Sequence, residues 1–161
     1  MSRPPGRSAS ALAPLDLLLR VMTEDDAREV AGWGYATLAG LAPLLDRDRA
    51  YYSIANAEGE VVGCCCFGPE ARQSGGDYAA PGLDFAAWLR PDLTGFGRGA
   101  RFVITVLTFA RALFGALPFR TTVPAANQPA LYACRRAGFR PILTFTAADG
   151  AKYLQLGWEI S

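Results

Sequence analysis

Residues Leu89–Ala100 read L-R-P-D-L-T-G-F-G-R-G-A. A strand ending in Arg90-Pro91, a turn with Gly95, Gly97 and Gly99 at alternate positions, and a long apolar run together describe a backbone shaped to hold a phosphate. Glycines let successive amides face one way with no Cβ between them, and a following helix adds the positive end of its dipole. Three other readings compete. A nucleoside-triphosphate loop requires Gly-Lys-Ser/Thr after the glycines, where this chain has Gly99-Ala100-Arg101. A dinucleotide site requires G-x-G-x-x-G in the first strand–helix unit and an acidic residue about 20 residues on. Here the turn lies past mid-chain, and no Asp or Glu follows until Asp149. A flexible connector is the third reading, and a second motif weighs against it.

That motif is Asn127–Phe139, N-Q-P-A-L-Y-A-C-R-R-A-G-F. Asn127 sits where an N-cap belongs, Pro129 is tolerated in a first turn, and Gly138 stops the helix after Arg135 and Arg136. The two segments together resemble the GCN5-related N-acetyltransferases, whose acyl-CoA site carries a Gln/Arg-x-x-Gly-x-Gly/Ala turn and a later Asn-x-x-Ala-x-x-x-Tyr-x-x-x-Gly-Phe helix. Thr94, Gly97 and Gly99 fill the first pattern; Asn127, Ala130, Cys134, Gly138 and Phe139 fill the second. The spacing matches throughout, while Thr94 and Cys134 depart in residue type.

The resemblance covers residues 17–158 and implies a single α/β (α+β) domain over 15–161, one mixed, mostly antiparallel sheet of about seven strands with helices on both faces. The implied order is β-α-α-β-β-β-α-β-α-β-β. The residues support each piece. Thr23 caps a first helix with Glu24, Asp25 and Asp26 in its first turn, and a second helical segment spans about Thr37–Leu45. Tyr51–Ala55 and Glu60–Phe67 flank N-A-E-G, a hairpin signal. Leu83–Leu89 gives the fourth strand. A helix over Gly99–Phe114 carries a core stripe of Phe102, Val103, Val106, Leu107, Ala110 and Leu113. Phe119–Val123 is the fifth strand, and Ile142–Ala147 with Lys152–Trp158 flanks A-D-G in a closing hairpin.

At 161 residues and 51% hydrophobic the chain can bury one core without disulfide or metal staples. Residues 1–14, rich in Pro, Ser, Ala and Arg, read as a disordered leader. Pro14 and Asp16 interrupt the apolar run that a secretory signal would need, and nothing approaches the roughly 20 apolar residues of a membrane span. A cytoplasmic location is the default expectation. Net charge +1 gives no general pull toward nucleic acid or an acidic membrane. Arg90, Arg98, Arg101, Arg135 and Arg136 are available to meet cofactor phosphates, with solvated surface arginines the alternative. No metal is expected: Cys64, Cys65 and Cys66 are consecutive on a strand, so they alternate between faces, and the chain has no histidine. That absence also removes most Ser-His and Cys-His schemes.

What the resemblance implies for function is an enzyme that moves the acetyl group of acetyl-CoA to a primary amine, a protein N-terminus or small amine, by direct attack in a ternary complex. The alternatives are a non-catalytic acyl-CoA-binding module and, further off, a dinucleotide-binding enzyme. In the family the fourth strand splays from the fifth and its free amides bond the pantetheine and acyl carbonyl. Carried over, these are backbone groups at Trp88, Leu89 and Arg90, with the pyrophosphate on amides from Gly95, Phe96, Gly97, Arg98, Gly99 and Ala100, and Thr94 beside them. Asn127 and Ala130 open the second motif, Asn127 either contacting pantetheine or acting as a plain N-cap. Cys134 stands where the family has a tyrosine acid, so the thiol, water or nothing protonates the thiolate; packing is the other role for it. Tyr132 falls on nearly the opposite helix face. Asp84 is the first candidate for the base and Glu70 the second, each with an ion pair or a cationic acceptor as its alternative role. Trp33, Tyr35 and Tyr78 lie in segments that border the acceptor channel in the family. The acceptor is a small molecule or peptide, and a homodimer through exposed sheet edges is compatible with the pattern.

Overall fold

The structure is a computed structural model and describes residues 12–38, 40–95 and 97–158. Its elements are β1 (Leu18–Val21), α1 (Glu24–Ala31), a 3-10 turn at Ala36–Leu38, α2 (Leu41–Leu45), β2 (Tyr51–Ala55), β3 (Val61–Phe67), β4 (Leu83–Leu89), α3 (Arg98–Phe114), β5 (Phe119–Pro124), α4 (Gln128–Arg136), β6 (Arg140–Thr146) and β7 (Lys152–Trp158). Further 3-10 turns lie at Arg47–Arg49, Pro69–Ala71 and Pro91–Leu93. The strands form one sheet in the order β1-β2-β3-β4-β5-β7-β6. Every neighbouring pair is antiparallel except β4 and β5.

Thr23 caps α1 as expected, in a capping box closed by Asp26, which also takes two hydrogen bonds from Arg20. The single segment expected over Thr37–Leu45 is two pieces. Gly40 adopts an extended conformation (φ −134°, ψ 138°) as the N-cap of α2, and this separates the preceding 3-10 turn from the helix. Of the leader, residues 1–11 lie outside the described residues. Arg101 Nε donates to the Ala13 carbonyl and Leu15 N–H donates to Thr105 Oγ1, so the chain from residue 13 lies against α3.

β3 is buried along its whole length and carries helices on both of its faces. On one face Ala27 and Val30 of α1 and Leu44 of α2 pack with Val61 and Cys64. On the other, Phe102, Val106 and Leu107 of α3 and Leu131 of α4 pack with Cys65, Phe85, Phe119 and Leu156. Each such large apolar side chain contributes roughly 1.5–3 kcal/mol when fully buried. The expected α3 stripe holds as far as Ala110; Leu113 is instead 49% exposed, in a last turn where Phe114 reaches only the Phe67 ring at the end of β3. No described helix is long and apolar enough to cross a membrane.

Candidate functional site

β4 and β5 run parallel and share three rungs, Leu83↔Phe119, Asp84↔Arg120 and Phe85↔Thr121. Beyond Phe85 they part, and β5 continues against β7 as far as Pro124. A gap therefore opens along the second half of β4. Strand alternation decides which groups face it. The Asp84 carbonyl accepts from Gly68 N–H and Arg90 N–H donates to the Val62 carbonyl, so the main-chain groups at even positions face β3. Leu83 N–H donates to the Pro118 carbonyl, so those at odd positions face β5. The gap is lined by the main chain of Ala87 and Leu89. This corrects two expected groups, Trp88 and Arg90, which face β3, and adds Ala87. Sequence alone could not choose the parity, because all of β4 is apolar apart from Asp84. At the open end Tyr35 donates its hydroxyl to the Leu89 carbonyl at 2.6 Å.

The glycine turn stands at that open end. Gly95 and Gly97 have φ of +93° and +77°, and a Cβ on either would meet nothing within 4 Å, so conformation rather than space requires glycine. Gly97 is the N-cap of α3 and offers no side-chain cap. By helix geometry the Gly99 and Ala100 amides have no partner within α3, and the helix dipole adds to them. Arg98 N–H is turned to the Gly95 carbonyl at 3.2 Å. Gly99 has a second role: a Cβ there would sit 3.0 Å from Ala133 Cβ, so its absence lets α4 close on α3. Phe96 lies outside the described residues.

Side chains add little to this turn. Thr94 donates its hydroxyl to the Pro91 carbonyl, Arg90 pairs with Asp92 at 2.6 Å, and Arg98 reaches the Leu93 carbonyl. Arg101 holds the Ala13 and Pro14 carbonyls. Arg135 and Arg136 are exposed, with Arg136 over the Tyr132 ring. What the turn leaves open is therefore chiefly main chain.

Asn127 caps α4, its Oδ1 accepting from Ala130 N–H at 3.3 Å. The N-cap role stands for Asn127, and the Ala130 amide is engaged by it. Cys134 is 6% exposed and Tyr132 63%, on opposite sides of the helix. Burial pushes the Cys134 thiol up to about 12. A thiol held inside the core and harder to ionise than a free one is a poor acid for another thiolate, so geometry supports packing for Cys134.

On the face bearing Asp84, Ala86 and Trp88, the connection between β3 and β4 is tied down. Asp84 is 2% exposed, and both its oxygens are taken: Arg120 Nε at 2.5 Å on Oδ1, Arg120 Nη2 at 3.0 Å and Arg72 Nε at 2.8 Å on Oδ2. Two guanidinium groups already hold both oxygens of this buried carboxylate, and the ion-pair alternative is what the geometry supports. Arg120 also donates to the Ala80 carbonyl, Asp77 and Gln155 exchange two hydrogen bonds, and Tyr78 joins Gln73 and Thr122 through its hydroxyl. Glu70 accepts from Arg49 Nη1 at 2.8 Å and from the Tyr51 hydroxyl at 3.4 Å. Trp33 Nε1 donates to Glu29. Sequence reasoning missed Arg72, Arg120 and Gln155. The available signal was a charged residue, Arg120, inside the strand F-R-T-T-V and a polar one, Gln155, inside the otherwise apolar run Y-L-Q-L. Cys64 and Cys65 point into opposite cores, and no group of three or more metal-ligating side chains occurs among the described residues.

No protein-family model matches the chain, and no curated protein matches it in sequence. Solved structures do. An acetyltransferase of the GNAT family from Bacillus anthracis matches with TM-score 0.70 at 11% identity, over 92% of this chain and 97% of that one. AAC(6')-Ib in complex with ribostamycin and coenzyme A matches with TM-score 0.67 at 18% identity, over 90% and 94%. A variant of the spermidine N-acetyltransferase SpeG from Vibrio cholerae matches with TM-score 0.65 at 15% identity, over 89% and 93%. The chain has the fold of the GCN5-related N-acetyltransferases.

Proposed function

We propose that the protein is an N-acetyltransferase that takes its acetyl group from acetyl-CoA and gives it to a primary amine. The observation that carries this is the gap beside β4, where β5 takes neither the main-chain groups of Ala87 nor the Leu89 N–H, opening onto the turn at Gly95 and Gly97 and the N-terminus of α3. A long, flexible acyl carrier with a pyrophosphate at one end fits both parts at once. The amides of Gly99 and Ala100 receive the phosphates, and Ala87 and Leu89 hold the arm as a further strand would. The substrate supplies an activated thioester, and the chain supplies positioning. An alkylamine is protonated about three units above neutrality, so freeing its lone pair costs roughly 4 kcal/mol, which a desolvating pocket or base must meet. Asp84 is not that base in this reading, and Glu70 shares its carboxylate with Arg49.

The acceptor is a small amine or a peptide amine; the likeness to a spermidine acetyltransferase and to an enzyme bound to ribostamycin supports the small amine. Four buried, unpaired cysteines fit a reducing compartment and so the cytoplasm. Acetyl-CoA at 100 times its Kd should stabilise the protein by about 2.7 kcal/mol, read as a rise in Tm, and one amine or peptide in a panel should release free CoA thiol. Stabilisation without thiol release from any acceptor identifies the non-catalytic acyl-CoA-binding module that Cys134 leaves open. Stabilisation by NAD(H) and not by acetyl-CoA would sink the acyl-CoA reading.

A further inference from the structure

Transfer requires a proton for the departing thiolate, and α4 does not supply it: Cys134 faces the core and Tyr132 faces solvent. We propose that Tyr78, from the connection between β3 and β4, protonates the leaving thiolate. The inference rests on the acyl-CoA reading above.

The Tyr78 hydroxyl lies 2.9 Å from Thr122 Oγ1, and Thr122 is the first residue of β5 beyond the last rung shared with β4. Alternation puts Thr122 on the face of Arg120, which is the face of Asp84, Ala86 and Trp88. Tyr78 thus stands over the closed end of the gap. From Phe85 at that end to Leu89 at the mouth, β4 rises about 13 Å, at roughly 3.3 Å per residue. An arm anchored at the glycine turn brings its thioester tip to the closed end.

The phenol is held for this task. Its ring lies beside the Arg72 and Arg120 guanidinium groups, 5.2 and 5.3 Å from the ring centroid, and Asp84 fixes both. Gln73 N–H donates to the phenol oxygen at 2.9 Å. An amide N–H only donates, so the phenol proton is directed either to Thr122 or into the gap. Of the other tyrosines of this face, Tyr35 is committed to the Leu89 carbonyl, Tyr51 to Glu70, and Tyr153 stacks on Phe145. In the reaction the amine lone pair forms the C–N bond to the acetyl carbon, and the C–S bond breaks with its electron pair going to sulfur. Tyr78 passes its proton to sulfur, and the surplus proton on nitrogen returns to the Tyr78 oxygen directly or through water. Amine and thioester become amide and thiol, with no change of oxidation state.

The test is Tyr78→Phe, which keeps the ring beside the two guanidinium groups. The expected result is an acetyl-CoA thermal shift and KM for acetyl-CoA like wild type and kcat lower by about 100-fold or more. A kcat within about threefold of wild type overturns the assignment. So does a fall in kcat accompanied by a rise in KM for acetyl-CoA, because that is what a wall residue alone would give. Absence of an acetyl-CoA shift in the wild-type protein would fell the functional reading and this assignment together. A shift in both proteins with no thiol release from any acceptor likewise removes the role for Tyr78.

Discussion

Asp84 and Arg120 occupy one rung of β4 and β5 and close two hydrogen bonds across it, with their side chains 2% and 7% exposed. Removing one partner from such a pair leaves the other buried and uncompensated, at a cost of about 3–5 kcal/mol. Asp84→Asn keeps the shape and is expected to lower stability by that amount, measured by urea denaturation. A near-wild-type urea midpoint combined with lost turnover would return Asp84 to the role of base.

Gly97 distinguishes charge from conformation. At φ +77° Asn is among the better-tolerated replacements and Asp is close to it in size. Gly97→Asp is expected to abolish the acetyl-CoA thermal shift by setting a carboxylate against the pyrophosphate, whereas Gly97→Asn keeps part of it. Equal shifts in the two variants would mean that no anion binds at this turn.

The contact between Gly99 and Ala133 predicts a compensating pair. With Ala133 Cβ 3.0 Å from where a Gly99 Cβ would lie, Gly99→Val overpacks the α3–α4 seam and should cost about 1–3 kcal/mol. Adding Ala133→Gly should recover part of that loss, seen as a favourable coupling in a double-mutant cycle. Strict additivity would show that the helices do not meet there.

Alkaline pH should weaken the protein through its thiols. Burial pushes Cys134 up to about 12; burial, with Glu70 adding to it, pushes Cys66 to about 12; burial also raises Cys64 and Cys65. Unfolded, each ionises near its ordinary value of 9.0, while the folded protein holds the proton to much higher pH. Above pH 9.0 the unfolded chain binds fewer protons than the folded one. Stability from this source is therefore complete below pH 9.0 and is lost as pH rises toward 12, by up to about 1.4 kcal/mol per pH unit for each thiol. Urea midpoints at pH 7, 9 and 10.5 measure the decline, and Cys134→Ala should make it shallower; an identical slope in the variant would count against the buried thiol as its source.

Periodicity and caps made much of this fold legible. Thr23, Asn127 and the Phe102–Ala110 stripe work through neighbours a few residues away, so their roles are written locally. The Tyr51–Ala55, Leu83–Leu89 and Lys152–Trp158 boundaries agree with the structure for the same reason. The conformation of the turn at Gly95 and Gly97 was legible because positive φ selects glycine. What was not legible depends on register. Whether Ala87 or Trp88 faces the gap is decided by pairing with β3, and whether Asp84 is a base or an ion-pair partner is decided by Arg120, 36 residues on. Those partners meet only after the sheet is assembled.

The short pairing of β4 with β5 has a mechanical consequence. Every other pair of neighbouring strands shares four or more rungs, but the sheet crosses from β1–β4 to β5–β7 through three. The molecule is two leaves on a short spine, stitched beside the spine by Arg72, Tyr78 and Gln155 from either leaf. Any molecule that lies in the open stretch and hydrogen-bonds to Ala87 and Leu89 extends that spine, so occupancy and the rigidity of one leaf against the other are a single variable.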